Sequence, residues 1–173
     1  MSGQRGAMFV IAGFAGLLLI MAVFSGWQGA SRLTNRGDET KAVEEAARAF
    51  VQAYGTFDFR EPEPYRQRLL SLSTGAVRDA AAASQVDPVA VGQKRTIATR
   101  VVTVSVSAMS EDEATVSVSA EQLRKSIDLE SGRLVEDRVL QRVACRLARE
   151  GDRWLVSEFR LLAEEPVNPT PQR

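Results

Sequence analysis

The stretch Arg95–Ala120, "RTIATRVVTVSVSAMSEDEATVSVSA", decides the fold. Within it, "VVTVSVSA" and "ATVSVSA" alternate valine with serine or threonine, so one face is apolar and the other polar. That period of two belongs to half-buried strands. The intervening "MSEDE" is polar and acidic and suits a hairpin turn that solvent must reach. A third strand pattern, "RVLQRVACRLA" (138–148), places Val139, Val143, Cys145 and Leu147 on one face. "REGD" then turns it into a fourth, "RWLVSEFRLL" (153–162). Between the second and third strands "LESG" reads as another turn, and "EQLRKSI" also fits a brief helix.

Outward toward the amino terminus the period is 3.6. Asp38 stands where it can cap a helix whose apolar positions Val43, Ala46, Ala47, Phe50, Val51 and Tyr54 follow the i, i+3, i+4, i+7 rule, and Gly55 ends it. Pro62 and Pro64 suit a helix start, since proline needs no amide partner in the first turn, and Tyr65, Leu69, Leu70 and Leu72 supply its apolar stripe. Thr74 caps a third, alanine-rich helix through about Ala83. "QVDPVAVGQK" (85–94) reads as a loop. Three helices followed by a four-stranded antiparallel meander make an α+β domain with helices on one face, covering 38–163. The tail 164–173, "EEPVNPTPQR", has three prolines and little to bury, and reads as disordered.

The chain extends well beyond this domain at its front. After a short tail of residues 1–7, "MFVIAGFAGLLLIMAVFSGW" fills 8–27, and no charged side chain occurs between Arg5 and Arg32. A helix rising about 1.5 Å per residue needs roughly 20 apolar residues to cross a hydrocarbon core of about 30 Å. A secretory signal is shorter and ends at a small-x-small site, whereas Gln28 precedes Ala30 and Phe24 precedes Gly26 here. The segment therefore reads as an uncleaved transmembrane helix, with Trp27 at the interface and 28–37 as a linker. Arg5 faces Arg32, Arg36 and Lys41 across the span, so the positive-inside rule alone leaves orientation open.

Formal net charge is zero, and residues 1–37 hold three arginines and no acids, leaving 38–173 at minus three. No basic patch points to nucleic acid. The chain lacks histidine, which excludes Ser-His-Asp and Cys-His catalysis and the usual zinc sites. Cys145 is the only cysteine, so no intrachain disulfide forms, and its strand position suggests a buried small hydrophobe. No catalytic, cofactor-binding or metal-ligating residue is therefore assigned.

The anchor, then "EEAARAFVQAYGTFDFREPEPYRQRLLSLST", then strands ending in "RWLVSEFRLL", resembles the nuclear-transport-factor-2-like cone. More narrowly, the layout over roughly 8–163 resembles TcpC-type and VirB8-type membrane proteins of conjugation and type IV secretion; Mce-associated membrane proteins share it. The resemblance implies a cytoplasmic amino terminus and an outer-facing domain; with the anchor and the missing chemistry it points to a non-enzymatic scaffold, the alternatives being an accessory protein of an Mce-type lipid importer and a small-molecule enzyme or carrier that uses the cone's cavity. The scaffold's partners would be other membrane components of the transfer machinery and further copies of itself, with the bilayer held through 8–27.

Ketosteroid isomerases resemble the same fold and use tyrosine and carboxylic acids in the cavity. The ingredients here would be Tyr54, Asp58 and Tyr65, all in the elbow "YGTFDFREPEPYRQRLL" (54–70). Tyr54 belongs to an apolar helix stripe and Asp58 to a connection, so the elbow reads as structural, with Tyr54, Phe57, Phe59 and Tyr65 folded onto the sheet and Asp58 in a turn or salt bridge. In "RKSIDLESGRLVEDR" the alternating charges read as a solvated hairpin, although Arg124, Lys125, Arg133 and Arg138 offer contacts to a partner. Glu158 and Arg160 of the final strand are placed to pair with neighbouring strands, with Arg142 or Arg146 as the foremost partners.

Overall fold

Helix α1 occupies 37–55 of a computed structural model that describes residues 37–167. Val43, Ala47, Phe50 and Val51 lie along one side of it and are at most 4 % exposed, which is the stripe that the 3.6 period predicts. The helix is already formed at Gly37, so Asp38 sits inside it and is not its cap. Gly55 is the last helical residue, at a position where nothing larger fits. Its carbonyl accepts a 2.6 Å hydrogen bond from Thr99 Oγ1, and a methyl group there would overlap Thr99 and come within 2.7 Å of Gln122 Nε2.

The elbow then forms a strand that the sequence reading lacks, β1 (Phe57–Asp58), paired antiparallel with Ile97 and Thr96. Helix α2 (Pro62–Leu72) begins on its proline and buries Leu69. Ser73, fully buried, donates 2.6 Å to the Leu69 carbonyl and bridges to Val156. Helix α3 (Gly75–Ala83) starts at Thr74 as expected, but the Thr74 hydroxyl donates to Glu150 and leaves the helix amides uncapped by a side chain. The expected loop contains α4 (Pro88–Gly92), started by proline and capped by Asp87, whose carboxylate accepts from Val89 N at 2.9 Å.

Strands β2 (Thr96–Met109), β3 (Glu113–Ile127), β4 (Leu134–Glu150) and β5 (Arg153–Pro166) complete a five-stranded antiparallel sheet in the order β1-β2-β3-β4-β5. The α+β class and the meander hold, with one strand more than the four expected. "EQLRKSI" continues β3 and is not helical. Each hairpin is set by local chemistry. Ser110 Oγ accepts from Glu113 N at 3.0 Å, Asp128 Oδ1 accepts from Glu130 N and Ser131 N, and Gly151 takes a φ of +62° that disfavours a side chain. Register shifts between Val101 and Thr103, Val106 and Ala108, Arg142 and Val143, and Arg146 and Leu147 add the bulges that bend a sheet.

Along β3 the buried set is Ala114, Val116, Val118 and Ala120, and along β4 it is Val139, Val143, Cys145 and Leu147, so period two holds through both strands. All of these except Val139 form one core with Phe50, Leu69 and Ala81 from the helices. The expected Arg146–Glu158 pair forms at 3.0 Å. Strand β5 runs past Leu162 to Pro166, which corrects the disordered reading for the start of the tail. Glu164 is held there by Arg124 at 2.6 Å and by Gln141 at 2.6 Å. Residues 1–7, the apolar segment 8–27, residues 28–36 of the expected 28–37 linker and residues 168–173 lie outside the described residues, and Gly37, the linker's last residue, is helical. Among the described residues no helix is long and apolar enough to cross a membrane.

Candidate functional site

Two adjoining cavities lie beside the elbow. The first, about 740 Å³, has an apolar wall of Phe50 and Tyr54 from α1, Leu69 from α2, Val77 and Ala80 from α3, and Phe159 from β5. The second, about 1020 Å³, is bordered by Glu63, Arg66, Asp87, Arg95, Arg124 and Asp137 and is correspondingly polar. Tyr54, Tyr65 and Ser84 line both and mark the junction.

The apolar cavity exists because one side is aromatic and the other small. Phe50, Tyr54 and Phe159 cluster with ring centroids 4.4 to 6.1 Å apart, within the range in which aromatic pairs attract. Opposite them α3 presents Ala76, Ala80 and Ala81, which cannot reach across. Arg146, Glu158 and Arg160 also border the space. Because Cys145 and Phe159 face the core, strand alternation turns these three side chains to the sheet's other face, leaving backbone at the cavity wall.

The three residues that a ketosteroid-isomerase-like reading needs are only partly brought together. Tyr65 donates its hydroxyl to the Tyr54 carbonyl at 3.0 Å and stacks edge-on against Phe57, with centroids 5.3 Å apart. Burial pushes its phenol up to about 12, so it stays protonated at neutral pH. Asp58 borders neither cavity. It folds back on Arg60, accepting from Nε at 2.9 Å and from Nη2 at 2.6 Å, and these hydrogen bonds hold its carboxyl down at about 2. A permanently ionised carboxylate locked to a guanidinium outside the cavity neither donates nor accepts protons there at neutral pH. Cys145 is fully buried at the cavity floor, and desolvation raises its thiol to about 12, the opposite of nucleophile activation. Among the described residues no group of three or more carboxylate or thiol side chains is arranged to hold a metal ion.

In the polar cavity, Arg124 ties β3 to β5 across the intervening β4. It donates to Gln122 Oε1 at 2.9 Å and forms a two-pronged pair with Glu164 at 2.9 and 2.6 Å. Arg95, by contrast, has the Gln93 side-chain carbonyl as its partner, at 2.6 Å. The sequence reading named Tyr54 and Tyr65 but missed Ser84, Phe159 and the α3 wall. The small-residue run of α3 facing an aromatic helix stripe was the available signal.

No family model matches the chain, and no curated protein does either. Solved structures are similar to it at 12 to 15 % identity. The intermembrane-space region of the chloroplast protein ARC6 aligns at 15 % identity over 69 % of this chain and 96 % of that one, with a TM-score of 0.45. A protein described as Ntf2-like and involved in plasmid conjugation aligns at 13 % identity over 78 % of this chain, with a TM-score of 0.47; the match spans 51 % of that longer protein. A type 2 hexachlorocyclohexane dehydrochlorinase, LinA, aligns at 12 % identity over 82 % of this chain and 95 % of that one, with a TM-score of 0.47.

Proposed function

We propose that the chain is a bitopic membrane protein that acts by binding rather than catalysis, as a scaffold component of a conjugation or type IV secretion machine. In this reading residues 8–27 span the cell membrane, the amino terminus is cytoplasmic, and the α+β domain on the outer side contacts other membrane components and further copies of itself. The observation that carries it is the disposition of the elbow. Asp58 is tied to Arg60 outside both cavities, and Tyr65 is tied to the Tyr54 carbonyl, so the domain offers surfaces and pockets without an assembled acid–base pair. Helices laid on one face of an antiparallel meander, the arrangement of nuclear-transport-factor-2-like domains, support the reading alongside the uncharged apolar segment between Arg5 and Arg32. Confinement to one membrane raises effective concentration, so individually weak contacts suffice to assemble a complex.

The apolar cavity favours a second reading, in which the domain is an accessory of an Mce-type lipid importer. Deleting the gene separates the two. The scaffold reading expects conjugative transfer to stop while DNA nicking at the transfer origin continues, because a scaffold acts after processing. Normal transfer combined with failed uptake of a lipid would instead assign the chain to the importer.

A further inference from the structure

The junction between the two cavities has a hydrogen-bonding sense. Tyr65 spends its hydroxyl hydrogen on the Tyr54 carbonyl at 3.0 Å, and Ser84 spends its own on the Ala81 carbonyl at 2.8 Å. A hydroxyl has one hydrogen and two lone pairs, so both oxygens keep the capacity to accept and none to donate. Tyr54, 43 % exposed, carries the remaining hydroxyl at the junction and is free to play either part. Beyond the junction the wall is aromatic and aliphatic. At about 740 Å³ the space lies within the roughly 300–1,000 Å³ typical of small-molecule sites.

We propose that this cavity binds an uncharged, mainly apolar small molecule bearing a hydroxyl, with the ligand's O–H donated to the Tyr65 or Ser84 oxygen and its hydrocarbon body against Phe50, Leu69, Val77 and Phe159. A carboxylate is disfavoured by the apolar wall, which would strip its hydration while the junction offers it at most the one hydrogen of Tyr54. The inference is independent of whether the domain serves conjugation or lipid import.

Full-length protein in lipid nanodiscs, titrated with 1-pyrenemethanol, its methyl ether and 1-pyrenecarboxylate, tests it by pyrene fluorescence, with empty nanodiscs subtracting partition into lipid. The alcohol should bind about fivefold more tightly than the ether, the worth of one neutral hydrogen bond. The carboxylate should bind about tenfold more weakly than the alcohol. Tyr65→Phe/Ser84→Ala, made in a Tyr54→Phe background so that no third hydroxyl takes over, should keep the affinity for the ether and erase the preference for the alcohol. Ala80→Trp, on an exposed position of the cavity wall, should abolish binding of all three probes without lowering the melting temperature. Equal affinities for alcohol and ether in the native protein would overturn the proposal, as would tightest binding of the carboxylate or a preference surviving in the triple variant. Were Ala80→Trp to destabilise the fold, the native and triple-variant comparison still decides.

Discussion

At the scale of single residues, Gly55 and Asp58 show how closely the elbow is specified. Gly55 is glycine because Thr99 and Gln122 occupy the space a Cβ would take. Gly55→Ala must therefore displace two buried side chains or the helix end, and should cost about 1–3 kcal/mol by urea denaturation, the usual range for overpacking. A neutral result would mean that the elbow yields easily. Asp58 has a folded pKa depressed to about 2 by Arg60, against about 3.9 in an unfolded chain. The sign follows from linkage: its contribution is present above about pH 4 and is lost as pH falls through about 2. Carboxyl NMR titration of the folded protein should give a midpoint near 2, and Asp58→Asn should flatten that part of the acid limb. A midpoint near 4 would show that the Arg60 pair does not persist in solution. Tyr65 and Asp58 were both legible as elbow residues. The salt bridge expected for Asp58 forms with Arg60, two residues on, whereas the sequence could not say that the phenol turns to a backbone carbonyl, since that depends on where α2 begins.

At the scale of elements, the valine alternation of β2 and β3 and the i, i+4 stripe of α1 were readable because each repeats over several turns or pairs of residues. Strand β1 is two residues long and carries no period at all. Helix α4 exposes Val89 and Val91 and buries only Ala90, so it shows no stripe; its signals were the Asp87 cap and Pro88. The end of β5 was missed for a different reason. Glu164 is recruited by Arg124, forty residues earlier, and a pairing that distant leaves no local pattern. Side chains of Arg124 and Glu164 are 28 % and 34 % exposed, so the pair is partly shielded. Ending the chain at Ala163 removes Glu164 and leaves Arg124 and Gln141 without it. That truncation should lower stability by about 1–2 kcal/mol, the worth of a charge-assisted contact in such a setting. Ending it at Val167 should leave stability unchanged. If both chains melted alike, the last turn of β5 would be an adornment rather than part of the sheet. A cavity holding Tyr54 and Tyr65 was expected from the fold, but its α3 and Phe159 walls escaped sequence reading because a sequence records side chains and a cavity is where they fall short, here between the alanines of α3 and the Phe50–Tyr54–Phe159 cluster.

At the scale of the whole molecule, two unlike parts share one chain, an apolar segment at 8–27 and an α+β domain in which Asp58 is committed to Arg60 and Tyr65 to the Tyr54 carbonyl. In the proposed scaffold, tethering would make individually weak contacts effective by confining copies and partners to one surface. The most direct measurement is complementation of a gene deletion, scored as conjugative transfer, with three chains: full length, residues 38–173 alone, and full length with 8–27 replaced by an unrelated transmembrane helix. The account predicts that the native and the helix-swapped chains restore transfer and that the untethered domain, expressed to the same level on the outer side, does not. Full rescue by residues 38–173 alone would contradict it.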